Sequence, residues 1–193
     1  MKETHAIPEP MTIENGVFLK YCGDEDTVIV PEGVTEIAEH AFFRKSHIKE
    51  IVLPKSLRKI GRYAFYGACG IMDIRLPEGL CEIGEGAFER CAFREVIVPE
   101  GVAKIEKSVF AYNHNMRRAV LPKGLSEIGE AAFRCCTKLA SVNIPASVKK
   151  IGSYAFSACE AIAVLCIPEG CETGRDFYEA PKWAKSDKKK KMK

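Results

Sequence analysis

The chain has 193 residues, 47% of them hydrophobic, and a formal charge of +3, enough for one domain or one repeat array and too apolar for a disordered chain. No run of 18 or more apolar residues occurs, so no stretch suits a membrane-spanning helix. The charge is uneven: seven lysines and Asp187 stand from Lys182 onward, leaving 22 basic and 25 acidic side chains in a body unlike a nucleic-acid-binding domain.

In chain order, residues 1–27 come first. The opening Met1-Lys2-Glu3-Thr4-His5 lacks an apolar stretch of the kind that marks a secretory signal. Thr12 to Tyr21 then places Asn15-Gly16 between two apolar runs, which predicts a β-hairpin capping the first edge of residues 28–170.

Residues 28–170 are organised by proline. Pro31, Pro54, Pro77, Pro99, Pro122, Pro145 and Pro168 recur at spacings of 23, 23, 22, 23, 23 and 23. Eleven residues after the first six stand Phe42, Phe65, Phe88, Phe110, Phe133 and Phe156. The residues three and one before each proline are apolar, as in Val28 and Val30 or Val96 and Val98, and that alternation is strand periodicity. Proline ends the strand because it has no N–H for the ladder. A Gly or Ser two residues later supplies turn chemistry, and apolar residues three and six after the proline turn inward again. The Ala-Phe pair predicts one helical or 3₁₀ turn. Such a unit cannot bury its apolar side alone, whereas stacked copies can, so the expected architecture is a solenoid. Its seven strands are expected to form one parallel sheet, and the Phe column an internal spine.

The Pro122 unit shows the motif well: Ala119-Val120-Leu121-Pro122-Lys123-Gly124-Leu125, then Ile128-Gly129, Ala132-Phe133 and Cys136. This resembles the BspA-type leucine-rich repeat of bacterial surface antigens and many bacterial proteins. The resemblance covers about residues 28–170 and implies a right-handed, horseshoe-like repeat solenoid of the α/β class used for binding, with six complete repeats and the start of a seventh. Glu106 departs from it where glycine is usual, and Val109 where alanine is usual.

Residues 171–184 lose the Ile-Gly and Ala-Phe pairs, so Phe177, Tyr178 and Trp183 are expected to close that end. Residues 185–193 are expected to be a solvated, disordered lysine tail. Lys188 to Lys191 lack interleaved aromatics, which weakens a nucleic-acid reading and leaves an anionic membrane surface as the tail's other possible contact.

No catalytic or metal constellation is visible. Cys91, Cys136 and Cys159 share the column three residues after Phe, which reads as a ladder of small buried thiols and not as a metal site. His5, His40, His47 and His114 fall in different columns. Gly84-Glu85-Gly86 is not a phosphate loop. The expectation is a protein with no catalytic residues, no metal and no cofactor.

The candidate binding residues are those pointing outward from the strand face. Two before each proline stand Ile29, Val52, Arg75, Ile97, Val120 and Asn143, and four before stand Glu50, Asp73, Glu95 and Arg118. Adjacent apolar side chains on such a face mark an interaction surface. The sequence therefore predicts a protein partner or self-association. Nine cysteines, an odd count, without a visible export signal fit a cytoplasmic protein. The alternative is a surface adhesin or host-interacting antigen exported by another route.

Overall fold

The structure, a computed structural model, describes residues 10–179; Trp183 and the lysine tail lie outside the described residues. The chain opens with a hairpin, β1 (Met11–Glu14) and β2 (Val17–Tyr21), paired antiparallel around Asn15-Gly16. Both turn residues have positive φ, 49° and 76°, the backbone that a two-residue turn matched to strand twist requires.

Stacked coils come next. In chain order their strands are β3 (Thr27–Ile29), β4 (Glu36–Ile37), β5 (Glu50–Val52), β6 (Lys59–Ile60), β7 (Glu82–Ile83), β8 (Glu95–Ile97) and β9 (Lys104–Ile105). The later ones are β10 (Arg118–Val120), β11 (Glu127–Ile128), β12 (Ser141–Asn143), β13 (Lys150–Ile151) and β14 (Glu172–Thr173). A three-residue strand runs up to the residue two before Pro31, Pro54, Pro99, Pro122 and Pro145, and a two-residue strand ends on the isoleucine six after each of the first six prolines. Between them the proline carbonyl accepts the N–H three residues on, as from Leu80 to Pro77 (3.0 Å) and Leu125 to Pro122 (3.1 Å).

The Ala-Phe corner is not helical; the described residues contain no helix. Two left-handed residues flank each Phe: His40 and Arg44 around Phe42, Ser108 and Tyr112 around Phe110, Tyr154 and Ala158 around Phe156. A positive φ on either side interrupts right-handed winding. It also turns the corner N–H groups toward the next coil, where Phe65 donates to Ala87 (2.8 Å) and Phe133 to Ala155 (2.8 Å).

The six Phe side chains are fully buried and stack ring on ring through the solenoid axis. Phe18 of the hairpin continues the stack onto Phe42 at 4.8 Å and so closes its first end. Around the column lie Leu57, Leu80, Leu125 and the isoleucines from Ile37 to Ile151, all buried.

The expected single sheet of seven strands is not formed. On the face before the prolines, β3 pairs only with β5, and β8, β10 and β12 form a separate three-stranded ladder, all parallel. Residues 73–75, including Asp73 and Arg75, keep the inward-outward alternation but join neither ladder, and 164–166 pair with nothing at the far end. The second ladder also divides, into β2-β4-β6-β7 and β9-β11-β13-β14.

Two sequence departures coincide with the break between the Phe88 and Phe110 coils. Phe93 reaches its buried position five residues after Phe88, where Ile48, Ile71, Met116, Leu139 and Ile162 take six. Glu106 replaces glycine in a column where coils approach closely. A Cβ on Gly84 would lie 2.7 Å from the backbone nitrogen of Arg62, and one on Gly129 2.7 Å from the carbonyl carbon of Glu106. The N–H groups of Gly61, Gly84, Gly129 and Gly152 donate to the isoleucine carbonyl one coil back at 2.7 to 2.8 Å. Ala38, in the same column, bonds Phe18 of the hairpin at 2.9 Å, whereas Glu106 makes no such bond to Ile83.

Candidate functional site

The outward columns are where the repeat places them. Ile29 is 63% exposed and Ile97 59%; Val52, Arg75 and Asn143 are exposed, and Val120 is half-buried. Parallel register brings Ile97 beside Val120 and Val120 beside Asn143 on one ladder, and Ile29 beside Val52 on the other. Glu95 and Arg118 face each other across the same ladder and form an ion pair of 2.8 Å. Glu50 sits next to Thr27. Asp73 and Arg75 stand apart, on the unpaired segment between the two ladders.

Polar side chains complete the face. Asn143 Oδ1 accepts the N–H of Leu121 at 3.3 Å. Lys49 and Asp26 pair at 2.9 Å at the edge of the face; the ammonium holds the Asp26 carboxyl below its usual range, and the carboxylate raises Lys49.

The break in the ladders leaves a groove of about 910 Å³ at the centre of this surface. Ile74, Leu76, Val98 and Leu121 form its apolar floor, while Asp73, Glu78, Glu95, Glu100 and Arg75 carry its charges. Sequence reasoning named Ile97, Val120, Asp73, Arg75 and Glu95 but not Glu78, Glu100 or the groove itself. The signals that point to it are the one short spacing and the carboxylate at position 106.

The cysteine column is internal. Cys91, Cys136 and Cys159 are buried, and each thiol donates to the carbonyl of the preceding coil's Phe (Phe65, Phe110 and Phe133) at 3.1 Å. Asn113 takes the same place in the shortened register, donating to Phe88 at 2.8 Å. Burial pushes these thiols up, Cys159 to about 12, which makes them poor nucleophiles. Among the described residues no group of three His, Cys, Asp or Glu side chains is arranged to hold a metal ion. No described helix is long and apolar enough to cross a membrane.

No curated protein is similar to this chain. The family model of the BspA-type leucine-rich repeat region matches residues 11–93 and 35–163, in six copies. A leucine-rich repeat protein of Treponema pallidum, TpLRR, is 31% identical, with 92% of this chain aligned to 88% of that one at a TM-score of 0.81. A leucine-rich repeat protein of Bacteroides ovatus is 32% identical over 78% of this chain, with a TM-score of 0.75; this chain spans only 39% of its length. A leucine-rich cell surface protein of Faecalibacterium prausnitzii is 27% identical over 79% of this chain and 51% of its own, with a TM-score of 0.69. Proteins of this fold are typically interaction or surface-type modules and are generally not enzymes. The solenoid of stacked Pro and Phe units and the family match agree: the chain belongs to the BspA-type leucine-rich repeat family.

Proposed function

We propose that the chain is a non-enzymatic interaction module that binds a protein partner through its strand face, centred on β8 and β10. The observation that carries this reading is the pair Ile97 and Val120, side by side and facing outward, with the Glu95–Arg118 ion pair beside them. Apolar anchors near a patch centre supply most of an interface's energy, while surrounding charges set orientation and association rate. Capture of partners by the Ile97→Asp, Val120→Asp double variant, compared with the unchanged chain in an extract of the source cells, tests the reading. Self-association on the same face is followed in parallel by sedimentation.

The reading includes a cytoplasmic setting, which the odd count of nine cysteines supports. A second reading, an exported surface adhesin, is favoured by the likeness to the F. prausnitzii cell surface protein. Thiol titration of protein taken directly from the native host separates the two, since an oxidising compartment consumes accessible thiols.

A further inference from the structure

We propose that the groove between the Phe88 and Phe110 coils takes an extended, lysine-bearing segment of a partner protein, laid along the free edge of β8. The proposal rests on the strand-face reading and names the chemistry of the partner.

Three observations converge on it. The first is the unpaired backbone. β8 ends its three-stranded ladder, and the chain across the groove, residues 73–75, bonds to neither neighbouring ladder. The coils still meet at the groove's end, where the Arg94 N–H donates to Met72 (3.0 Å), and separate beyond it. A strand edge with free N–H and C=O groups is a template for an added strand, whose main chain supplies affinity and whose alternate side chains supply specificity.

The second is shape. From Asp73 to Glu78, where the chain turns, the groove wall runs six residues, whose five steps span at most roughly 17 Å. Its volume of about 910 Å³ has an apolar floor, Ile74, Leu76, Val98 and Leu121, for the inward side chains of such a segment.

The third is charge. Four carboxylates line the groove, Asp73 and Glu95 toward one end and Glu78 and Glu100 toward the other, against the single guanidinium of Arg75. Glu95 is paired with Arg118, but Asp73, Glu78 and Glu100 have no cationic partner among the described residues. The neighbouring groove of about 810 Å³, between Val52 and Met72, sets Lys49 and Arg75 against Glu50 and Asp73 and so has no dominant sign. Lysines alternating with apolar residues match the first groove at both ends and along its floor.

Glu106 keeps the groove open. Across the rest of the second ladder, charges alternate and pair: Glu36 with Lys59 (3.3 Å), Lys59 with Glu82 (3.7 Å), Lys104 with Glu127 (3.6 Å). Glu82 and Lys104 continue the alternation across the break, yet Lys104 bonds Glu106 (3.3 Å) and no pair joins it to Glu82. Glycine at 106 would remove the side chain between the coils and with it the competing carboxylate, so Lys104 could turn to Glu82 and the coils could close.

The test is titration of the full chain with a fluorescent Lys-Val-Lys-Val-Lys-Val peptide, with Glu-Val-Glu-Val-Glu-Val as the opposite-charge probe. The expected result is saturable binding of the lysine peptide only. The Glu78→Gln, Glu100→Gln variant should weaken it about tenfold or more, and so should Glu106→Gly. Fluorescence anisotropy reads the binding, and amide exchange at Lys104 to Glu106 reports closure independently. Absence of saturable binding, equal binding of both peptides, or unchanged binding in a Glu106→Gly chain whose amides show closure would overturn the proposal. A cellular partner lost by Ile97→Asp, Val120→Asp but retained by the closed Glu106→Gly chain would sink the groove and leave the strand-face reading standing.

Discussion

The rings of Phe88 and Phe110 lie 5.8 Å apart and within 4° of parallel, the widest step in a column whose other steps from Phe42 to Phe156 are 4.9 to 5.3 Å. The corner backbone beside them is intact: the Phe88 N–H donates to Val109 at 3.0 Å, and Gly86 to Lys107 at 2.9 Å. Both strand ladders are absent between the same two coils. The Phe corner therefore acts as the spine of an open book, and the strand face is its fore-edge. One glutamate and one missing residue mark the coil pair at which both ladders are absent.

Deleting a ring tests the column. Phe133 is fully buried between Phe110 and Phe156 at 5.3 and 5.2 Å. Phe133→Ala loses the burial of a large side chain and two stacking contacts, and should cost about 3–5 kcal/mol in urea unfolding. A loss below about 1 kcal/mol contradicts a continuous spine.

The glycine column gives a prediction of the opposite kind, an addition instead of a deletion. A methyl group on Gly129 would lie 2.7 to 2.8 Å from Glu106 and Lys107 backbone atoms, which no rotamer change relieves. Gly129→Ala should cost about 1–3 kcal/mol and expose the Gly129 amide, now bonded to Ile105 at 2.7 Å, to hydrogen exchange. Unchanged exchange at that amide would show that the coils accommodate a Cβ without parting, and the Cβ of Glu106 could not then be what separates the Phe88 and Phe110 coils.

The legible part of this fold was the part written in side-chain period. Pro and Phe at a fixed offset gave the register, and apolar alternation gave the inward and outward columns, down to Ile97 beside Val120. The corner is not legible, because Ala-Phe has a helical look and the left-handed residues there are seldom glycine; His40, Tyr112 and Tyr154 carry no signature of positive φ. The split sheet was not legible. It depends on how closely one coil's backbone passes over the next, a distance that no linear motif encodes, although Glu106 marked the place.

The thiol column predicts a pH dependence with a definite sign. Burial raises Cys91, Cys136 and Cys159 in the folded chain, Cys159 to about 12, whereas unfolded thiols ionise near about 8.5. A folded value above the unfolded one means that the unfolded chain sheds protons first as pH rises. The thiols' contribution is complete below about pH 8.5 and is lost progressively toward the folded value. Urea midpoints measured from pH 7 to 10 should fall in the upper half of the range, and Cys136→Ala should shallow that fall. Thiol reagents at neutral pH should modify exposed Cys22, Cys69, Cys81 and Cys166 while sparing the three buried thiols. A flat profile to pH 10 would remove the thiols from the account of stability.

The strand face makes the functional prediction. Ile97 and Val120 point away from the core, while their neighbours Val96 and Ala119 are buried at about 1% exposure. Ile97→Asp with Val120→Asp therefore leaves the inward column untouched, and the folded signal in circular dichroism should persist with at most a small loss of stability. Two carboxylates would also stand where the partner places apolar side chains, and burying them without a hydrogen-bonded partner adds a desolvation cost to the lost apolar contact. Partner capture should fall by at least about 100-fold, near the upper range for a central apolar anchor pair. Arg118→Ala alone removes one side of the ion pair at the rim; it should change mainly the association rate and its salt dependence, leaving dissociation close to the original. If the double variant unfolds, the inward and outward columns are reversed. If it folds and every partner is still captured, binding lies off this face.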